Sequence, residues 1–325
     1  TRRSAPTDHD STMLRHIIRR LILAIPTLFA VFTVIFIIVR VAPGDPATAA
    51  LGDYASQEAV EARRESLGLN KPLWRQYVDF LGDLAKGDLG KSLITQKPIS
   101  GQITFVLPYT LELAGASMLI GLILGIGVGV FTALKRNTPV DYVGRILSLV
   151  GLSLPSFYLG IILIFLFAVK INLLPAVSSA DFHHPLDNLK GLVLPALTLG
   201  LIETAYIGRM TRSVMINVLS DDYVRTARAK GLQEWVVLIQ HALRAALIPI
   251  VSLIGIFAIS LIGSSVLVEV VFNRPGLGKL MVGATKQRDY TALQSIMVVY
   301  ALIIVIINIV VDIIYTMVDP RVRFS

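Results

Sequence analysis

Six long runs of the sequence contain no charged side chain, apart from one glutamate in the fourth run. A helix rises about 1.5 Å per residue and pairs its own backbone groups, so roughly 20 apolar residues are enough to cross the ~30 Å hydrocarbon core of a membrane. The runs therefore predict an all-α, polytopic membrane protein with six transmembrane helices. They comprise Leu21–Val39, Leu113–Leu134, Ile146–Val169, Gly191–Gly208, Ala245–Val268 and Thr291–Val311.

The charges predict how the helices are oriented. Only 16% of the residues are charged, against about 25% in an average soluble protein, which excludes a soluble enzyme. Sixteen Lys and Arg lie in the N-terminal segment, in loops 135–145 and 209–244 and after residue 311, against six in the short loops 170–190 and 269–290. Basic residues concentrate on the cytoplasmic side, so we expect both termini in the cytoplasm. The expected surroundings are membrane lipid, and no nucleic acid is expected as a partner.

The spacing of the runs divides the chain into four parts. Residues 1–12 form a polar N-terminal extension, and residues 13–40 contain the first transmembrane helix. Residues 41–106 form an extracytoplasmic loop, and residues 107–325 contain the remaining five helices. The five-helix part includes a long cytoplasmic loop at 209–247, which is large enough to carry its own helices.

The extracytoplasmic loop contains signals for two helices. Ser56 is a suitable N-terminal cap for a helix that ends near Leu67, where Gly68 follows. A second helix is expected from Pro72 to Lys86, before Gly87. Its apolar positions predict a face that packs on the membrane helices or on a partner protein; they are Trp74, Tyr77, Val78 and Leu81.

One stretch of this loop resembles a phosphate-binding motif. The segment from Ala85 to Ser92 reads A-K-G-D-L-G-K-S, which differs from G-x-x-x-x-G-K-[ST] only at its first position. That motif requires a strand before it and a helix after it. Here a helix precedes it and Pro98 follows, so we expect a structural loop that binds no nucleotide.

The cytoplasmic loop contains a short helix with clear limits. Ser220-Asp221-Asp222 is typical of a helix start, the stretch 223–230 is compatible with a helix, and Gly231 is a typical stop. Two turns of helix are marginally stable alone in water. We therefore expect this helix to dock into another protein, with the small residues Ala227 and Ala229 allowing close approach. A second helical stretch, 234–246, is expected to lead into the fifth span.

The sequence of this loop resembles a known family. The block from Asp222 to Leu232 is similar to the signature loop of permease subunits of binding-protein-dependent ABC importers, in their dipeptide, oligopeptide and nickel branch. Arg225-Thr226-Ala227 stands where the wider class has Glu-Ala-Ala, which is typical of the peptide branch. Further similar motifs are Pro43-Gly44-Asp45-Pro46, Leu67-Gly68-Leu69, Thr110-Leu111-Glu112-Leu113, Arg209-Met210-Thr211-Arg212-Ser213, His241-Ala242-Leu243-Arg244 and Pro275-Gly276-Leu277-Gly278.

The resemblance implies a function and a set of partners. It implies the type I ABC importer permease fold in a bacterial inner membrane, as the B-type subunit that forms a pathway for di- or oligopeptides. The expected partners are a homologous second permease, two cytosolic ATPases and an extracytoplasmic solute-binding protein. ATP and Mg²⁺ belong to the ATPases, so no cofactor, metal or catalytic residue is expected in this chain. Residues 220–232, hereafter the coupling segment, are expected to contact the ATPases through Asp222, Tyr223, Arg225, Thr226, Ala227, Arg228, Lys230 and Gly231.

Glycine and proline suggest how the spans pack and bend. Gly121, Gly125 and Gly129 repeat every four residues, with Gly127 adjacent, which favours close approach between helices. Pro155 removes a helix hydrogen bond and predicts a kink in the third span. That kink is either a gate hinge or a fixed bend.

Polar residues within the spans are candidates for the translocation pathway. The candidates are Ser153, Ser156, Glu203, Ser260 and Ser264. The serines either line a polar wall or form hydrogen bonds between helices. A buried acid is costly unless it faces water or a partner, so Glu203 is expected to face the pathway or to pair with Arg209. Glu112 and Glu269 lie near span ends, where we expect interfacial positions.

A second kind of transporter competes with this hypothesis. A secondary, proton-coupled transporter could use Glu203 or Asp312 as its proton carrier, but no repeat relates the two halves of the chain. An intramembrane enzyme is disfavoured because the sequence contains neither H-E-x-x-H nor G-x-S-x-G. His183 and His184 are adjacent and lack nearby ligands, so no metal site is expected.

Overall fold

The computed structural model describes residues 8–41, 44–52, 54–178 and 180–318, and within these ranges it is helical, with one isolated β-bridge between Lys91 and Pro98. The ends of the chain, and with them most of the predicted N-terminal extension, lie outside the described residues. The helices are α1 Asp8–Val41, α2 Pro46–Leu51, α3 Gln57–Ser66, α4 Leu73–Ala85, α5 Ile99–Leu134, α6 Pro139–Ser153, α7 Ser156–Leu163, α8 Pro185–Leu219, α9 Asp222–Ala229, α10 Glu234–Val236, α11 Arg244–Val271, α12 Leu277–Lys286 and α13 Tyr290–Val318.

The predicted all-α membrane fold is confirmed. By length and composition, six helical stretches can cross a membrane, and a bent pair of helices is a seventh candidate. Two of the six, 234–252 and 254–271, belong to one uninterrupted helical path through α10 and α11. They therefore count as one candidate crossing, and with the bent pair counted as one span the described chain has six candidate crossings.

The third span differs from its prediction. The sequence predicts one kinked helix over Ile146–Val169, but α6 and α7 are separate helices that meet at 107°. Leu154 between them is extended, with φ −83° and ψ 126°. A proline disfavours helical geometry in the residue before it, so Pro155 breaks the helix where a kink was expected. A π-helical turn, Ile164–Lys170, then continues α7.

Predicted helix limits in the loops are close to the observed ones. Ser56 Oγ accepts a hydrogen bond from the Ala59 N–H at 3.2 Å and caps α3. Gly68 and Gly87 both have positive φ, at 67° and 76°, just after α3 and α4. The helix α5 begins at Ile99, so the boundary drawn between residues 106 and 107 falls inside it.

The described chain divides into two compact units. The larger contains residues 109–274 with the end of α13 from residue 307, and the smaller contains residues 18–108 and 275–306. In the larger unit α8 packs against α6, α7 and α11. Its apolar core is built from α5, α7, α8 and α11 and includes Leu113, Leu163, Leu192, Leu194, Ala196, Leu199, Val268 and Phe272.

The smaller unit is built around the contact of α1, α4 and α13. Its core contains Ile35 from α1 with Val298 and Ala301 from α13, and Phe80 and Leu84 of α4 pack against it. The face of α4 that packs is thus shifted from the predicted one, because Trp74 and Val78 are 65% and 54% exposed.

Candidate functional site

The short helix α9 in the coupling segment forms where the sequence predicts it. Asp221 takes the extended backbone of an N-cap, although its side chain makes no capping hydrogen bond. Thr226 Oγ1 donates to the Asp222 carbonyl at 2.9 Å. Gly231 has φ +78°, and no atom lies within 4 Å of where its Cβ would stand. Glycine adopts this conformation without strain, so Gly231 ends the helix as predicted.

One face of α9 packs on the chain's own helices. Val224 is 0% and Ala227 5% exposed, and both pack against Val237. Val218 and Leu219, from the end of α8, complete this small core. We expected the small side chain of Ala227 to let another protein approach α9 closely. This expectation is wrong, because the chain's own core already covers Ala227.

The opposite face of α9 is polar and exposed. The predicted contact residues on this side are Asp222, Tyr223, Arg225, Thr226, Arg228, Lys230 and Gly231, and Ala229 lies there too. Arg225 pairs with Asp222 at 2.5 Å. Arg228 reaches forward to Glu234, with contacts of 3.1 and 2.7 Å. This bidentate pair holds α9 to the start of α10.

The path from α10 into α11 is continuous. A π-helical turn, Val237–Leu243, joins α10 to α11. Beyond Val237, the fully buried Ala242 and Ala246 pack with Met215 of α8 and Ala133 of α5. The coupling segment thus packs on the end of α8 and on Val237, and the helical path that follows Val237 packs with α5 and α8.

The predicted glycine stripe forms a close seam between α5 and α8. A Cβ on Gly121 would lie 2.5 Å from Glu203 Cβ, and a Cβ on Gly125 would lie 2.8 Å from Ile207 Cβ. One on Gly129 would lie 2.5 Å from Thr211 Cβ. A Cβ on Gly127 would have no atom within 4 Å. Three of the four glycines therefore allow the two backbones to touch.

Glu203 lies in this seam and is 5% exposed. Its Oε2 has no hydrogen-bond partner among the described residues. Arg209 is exposed and forms no ion pair with it in the described chain. The expected Glu203–Arg209 pairing is therefore wrong.

A different carboxylate forms the buried ion pair of this region. Asp141 is 0% exposed and binds Arg212 of α8 through two contacts, 2.6 Å to Nε and 2.8 Å to Nη2. The Asn137 N–H donates to the same carboxylate at 3.0 Å. Sequence reasoning assigned no role to Asp141, although an acid just after Thr138-Pro139 is typical of a helix start.

The candidate pathway serines are dispersed. Ser153 and Ser260 are exposed, and Ser156 and Ser264 are half-buried. Ser153 Oγ donates to the Leu149 carbonyl of its own helix at 2.9 Å. The four serines lie on three helices, with Ser153 on α6, Ser156 on α7, and Ser260 and Ser264 on α11.

A polar cluster that the sequence did not reveal lies at the other end of the larger unit. Arg274 is 0% exposed and donates to Glu112 at 2.5 Å and to Ser178 at 2.7 Å. Asn188 donates to the second oxygen of Glu112 at 2.7 Å. Glu269 is also 0% exposed and accepts from Thr110 at 2.7 Å. Both carboxylates thus have protein partners, and the interfacial positions expected for Glu112 and Glu269 stay predictions.

The segment that resembles a phosphate-binding loop is a structural clamp in the smaller unit. Ser92 Oγ donates to Asp289 at 2.5 Å, and the Leu93 N–H donates to the same carboxylate at 3.1 Å. Asp289 also accepts from the Ala292 N–H at the start of α13. The hydroxyl that would bind Mg²⁺ in a nucleotide site is thus bonded to protein.

The described residues contain no group of three or more His, Asp or Glu side chains placed to hold a metal ion. His184 Nδ1 lies 2.9 Å from Asp181 Oδ2, and this contact raises the pKa of His184 and keeps the pKa of Asp181 low. The pair stands just before α8, and the charge of Asp187 adds to the rise in the pKa of His184.

Comparison with known proteins identifies the family. Residues 125–324 match the model for the binding-protein-dependent transport system inner membrane component, and residues 13–114 match the model for its N-terminal part. The dipeptide transport system permease protein DppB of Alkalihalophilus pseudofirmus is 39% identical over 96% of this chain and all of its own length. The glutathione transport system permease protein GsiC of Escherichia coli K12 is 38% identical over the same shares.

Solved structures share the fold. An inward-facing methionine ABC transporter, MetNI, aligns with TM-score 0.55 at 19% identity, over 66% of this chain and 95% of the solved one. An amino acid ABC transporter crystallised with histidines aligns with TM-score 0.52 at 15% identity, over 67% and 94%. The family models and the permease relatives favour a subunit of a binding-protein-dependent transport system over the competing secondary transporter. The chain belongs to the family of inner membrane components of binding-protein-dependent transport systems.

Proposed function

We propose that this chain is the non-catalytic translocation subunit of an ATP-driven importer of dipeptides or related peptide-like solutes. It forms the pathway with a homologous second permease, receives solute from an extracytoplasmic binding protein and is driven by two cytosolic ATPases. ATP and Mg²⁺ bind to those ATPases. The names of the relatives support peptide-like cargo, since they include dipeptide and glutathione permeases.

The observation that carries the proposal is the two-faced helix α9. Its inner face, Val224 and Ala227, is packed on the chain, and its outer face is solvent-exposed and polar. A two-turn helix that is anchored on one side and bare on the other is suited to contact a partner. We assign this contact to Tyr223, Arg225, Thr226, Arg228 and Lys230, on the ATPase side.

The translocation pathway is proposed to run along α6 and α11, where the exposed Ser153 and Ser260 can face a second permease. Glu203 joins this pathway only if the seam between α5 and α8 opens, because it is 5% exposed. Both termini are proposed to lie in the cytoplasm, as the distribution of Lys and Arg indicates.

The test is uptake by proteoliposomes that contain the full chain with its co-expressed second permease, ATPases and binding protein. We expect uptake of a labelled dipeptide that requires internal ATP, and none with this chain alone. Uptake by the chain alone, or uptake abolished by a proton ionophore while ATP is present, would contradict the proposal.

Gly231 offers a matched pair of variants for the same assay. Gly231→Val places a β-branched residue at φ +78°, which is strained, whereas Asn tolerates this conformation. Space is not limiting there, so only the backbone is tested. We expect Gly231→Val to insert normally and to lose ATP-driven uptake, and Gly231→Asn to retain it. Equal uptake by the two variants would show that the backbone conformation at Gly231 is not needed for transport.

A further inference from the structure

The helix α4 lies against the membrane-spanning part of α1. The Tyr77 hydroxyl is 2.5 Å from Thr33 Oγ1, and the Tyr77 ring contacts Phe29 and Phe36 at centroid distances of 6.2 and 5.2 Å. At about 1.5 Å per residue, Phe36 and Phe29 lie roughly 8 and 18 Å from the end of α1 at Val41. Both belong to the uncharged run Leu21–Val39.

The core of the smaller unit indicates a similar depth. Phe80 and Leu84 of α4 pack against the cluster that Ile35 of α1 forms with Val298 and Ala301 of α13. Val298 and Ala301 lie roughly 12 and 16 Å along α13 from its start at Tyr290, by the same helical rise. Two spanning helices thus place α4 at the level of the apolar layer, and not beyond the membrane surface.

The outward face of α4 is apolar at this depth. Leu73, Trp74 and Val78 are 63%, 65% and 54% exposed. Trp74 and Val78 are four residues apart and share one side of the helix. On α1, Phe29, whose ring meets the Tyr77 ring, and Val34 are also exposed, both by 53%.

Two basic residues beside this face share one carboxylate. Lys71 Nζ lies 2.7 Å and Arg75 Nε 3.8 Å from the two oxygens of Asp79. Long Lys and Arg side chains can bury their stems in an apolar layer and extend their charges toward water. The charges are therefore compatible with a membrane position.

We propose that α4 is a membrane-embedded helix, and that Leu73, Trp74 and Val78 form a surface for phospholipid acyl chains. The segment between the first two spans is then only partly a solvent-exposed loop. It contains α3, which has no buried residue and is rich in charge, and α4, which is held in the lipid next to α1 and α13. A tryptophan on such a helix is typical of the membrane interface.

The test is site-specific photocrosslinking in the assembled transporter. We replace Trp74 by p-benzoylphenylalanine, irradiate native membranes and identify the adduct by mass spectrometry. The matched control carries the same amino acid in place of Glu58, an exposed position on α3. We expect several-fold more phospholipid adduct at position 74 than at position 58.

Two results would overturn the proposal. A protein adduct at position 74 would assign the surface to a partner subunit or to the binding protein. Equal, low phospholipid adducts at both positions would place α4 in water.

A second measurement uses the two tryptophans of the chain. In Trp235→Phe, the remaining Trp74 is expected to be quenched by brominated phospholipids in nanodiscs and protected from iodide. In Trp74→Phe, the remaining Trp235, which is 57% exposed after α9, is expected to show the reverse. Iodide quenching of Trp74 equal to that of Trp235 would contradict the embedded position.

Discussion

Adding a single methyl group at Gly125 tests how closely α5 and α8 must pack along their seam. In Gly125→Ala the new methyl would lie 2.8 Å from Ile207 Cβ and 3.2 Å from the Gly208 nitrogen. Neither neighbour is the flexible end of a side chain, so a backbone must move, at a cost of about 1–3 kcal/mol. We expect a lower midpoint of thermal unfolding in detergent and reduced uptake.

Gly127→Ala is the matched control for that substitution. No atom lies within 4 Å of its Cβ position, and alanine is favoured over glycine in a helix by up to about 1 kcal/mol. The two variants should therefore shift the unfolding midpoint in opposite directions. A fall of equal size in both would mean that the seam does not limit the helix separation.

Substitutions of Asp141 and of Asp222 compare the stability contributed by a buried ion pair with that contributed by an exposed one. Asp141→Asn removes the charge that binds Arg212, and the loss of a charged partner is expected to cost about 1–3 kcal/mol. Asp222→Asn removes the pair with Arg225, in which both side chains are exposed, and should leave stability unchanged. Thermal unfolding of the purified variants measures both. Equal unfolding midpoints for Asp141→Asn and Asp222→Asn would show that the Asp141–Arg212 pair does not stabilise the fold.

At the residue scale the sequence predicts types of contact better than partners. The spacing of Gly121, Gly125 and Gly129 indicates a close helix contact, which the structure confirms. The partner of Glu112 could not be predicted, since Arg274 is 162 residues away along the chain. No local pattern connects two residues that only tertiary packing brings together.

At the scale of an element, α9 makes a prediction about its two faces. Ala227→Leu would force a large side chain against Val237 and lift α9 from its seat, whereas Ala229→Leu adds bulk on the exposed side. We expect Ala227→Leu to uncouple ATP hydrolysis from uptake while the protein still inserts, and the measurement is solute uptake per ATP hydrolysed. If Ala229→Leu alone uncouples, the outer face is the more sensitive one, and the packing of Ala227 is unimportant.

Helix limits were predictable where short-range chemistry sets them. The Ser56 cap, Gly68, Gly87 and Gly231 act through their own backbone and nearest neighbours. The break between α6 and α7 was only half predictable, because Pro155 requires an irregularity but not its angle. The angle of 107° depends on what α6 and α7 pack against. The inward face of α4 was missed for the same reason, since its apolar residues surround the helix.

At the scale of the whole molecule, the charge asymmetry predicts the topology. The chain has no cysteine, so single cysteines report position without background from this subunit. We expect Glu58→Cys to react with a membrane-impermeant maleimide in cells whose outer permeability barrier is open. Lys135→Cys should react only after the inner membrane is permeabilised. The reverse pattern would invert the proposed orientation of both termini.

The overall architecture was the most predictable level. Six uncharged runs indicate six crossings because lipid tolerates little else, and the resemblance in the coupling segment indicates the family that the comparisons confirm. The pathway was not predictable from this chain, because it is proposed to form between two subunits. Ser153, Ser156, Ser260 and Ser264 therefore remain predictions.

The packing of α9 on the chain determines how a movement of α9 is passed on to α11. Val224 and Val237 are both 0% exposed and belong to one small apolar core, while the Arg228–Glu234 pair spans the turn between α9 and α10. We expect a joint that is packed in this way to be stiff. A displacement of the exposed side of α9 is therefore expected to tilt the first turns of α11 as well.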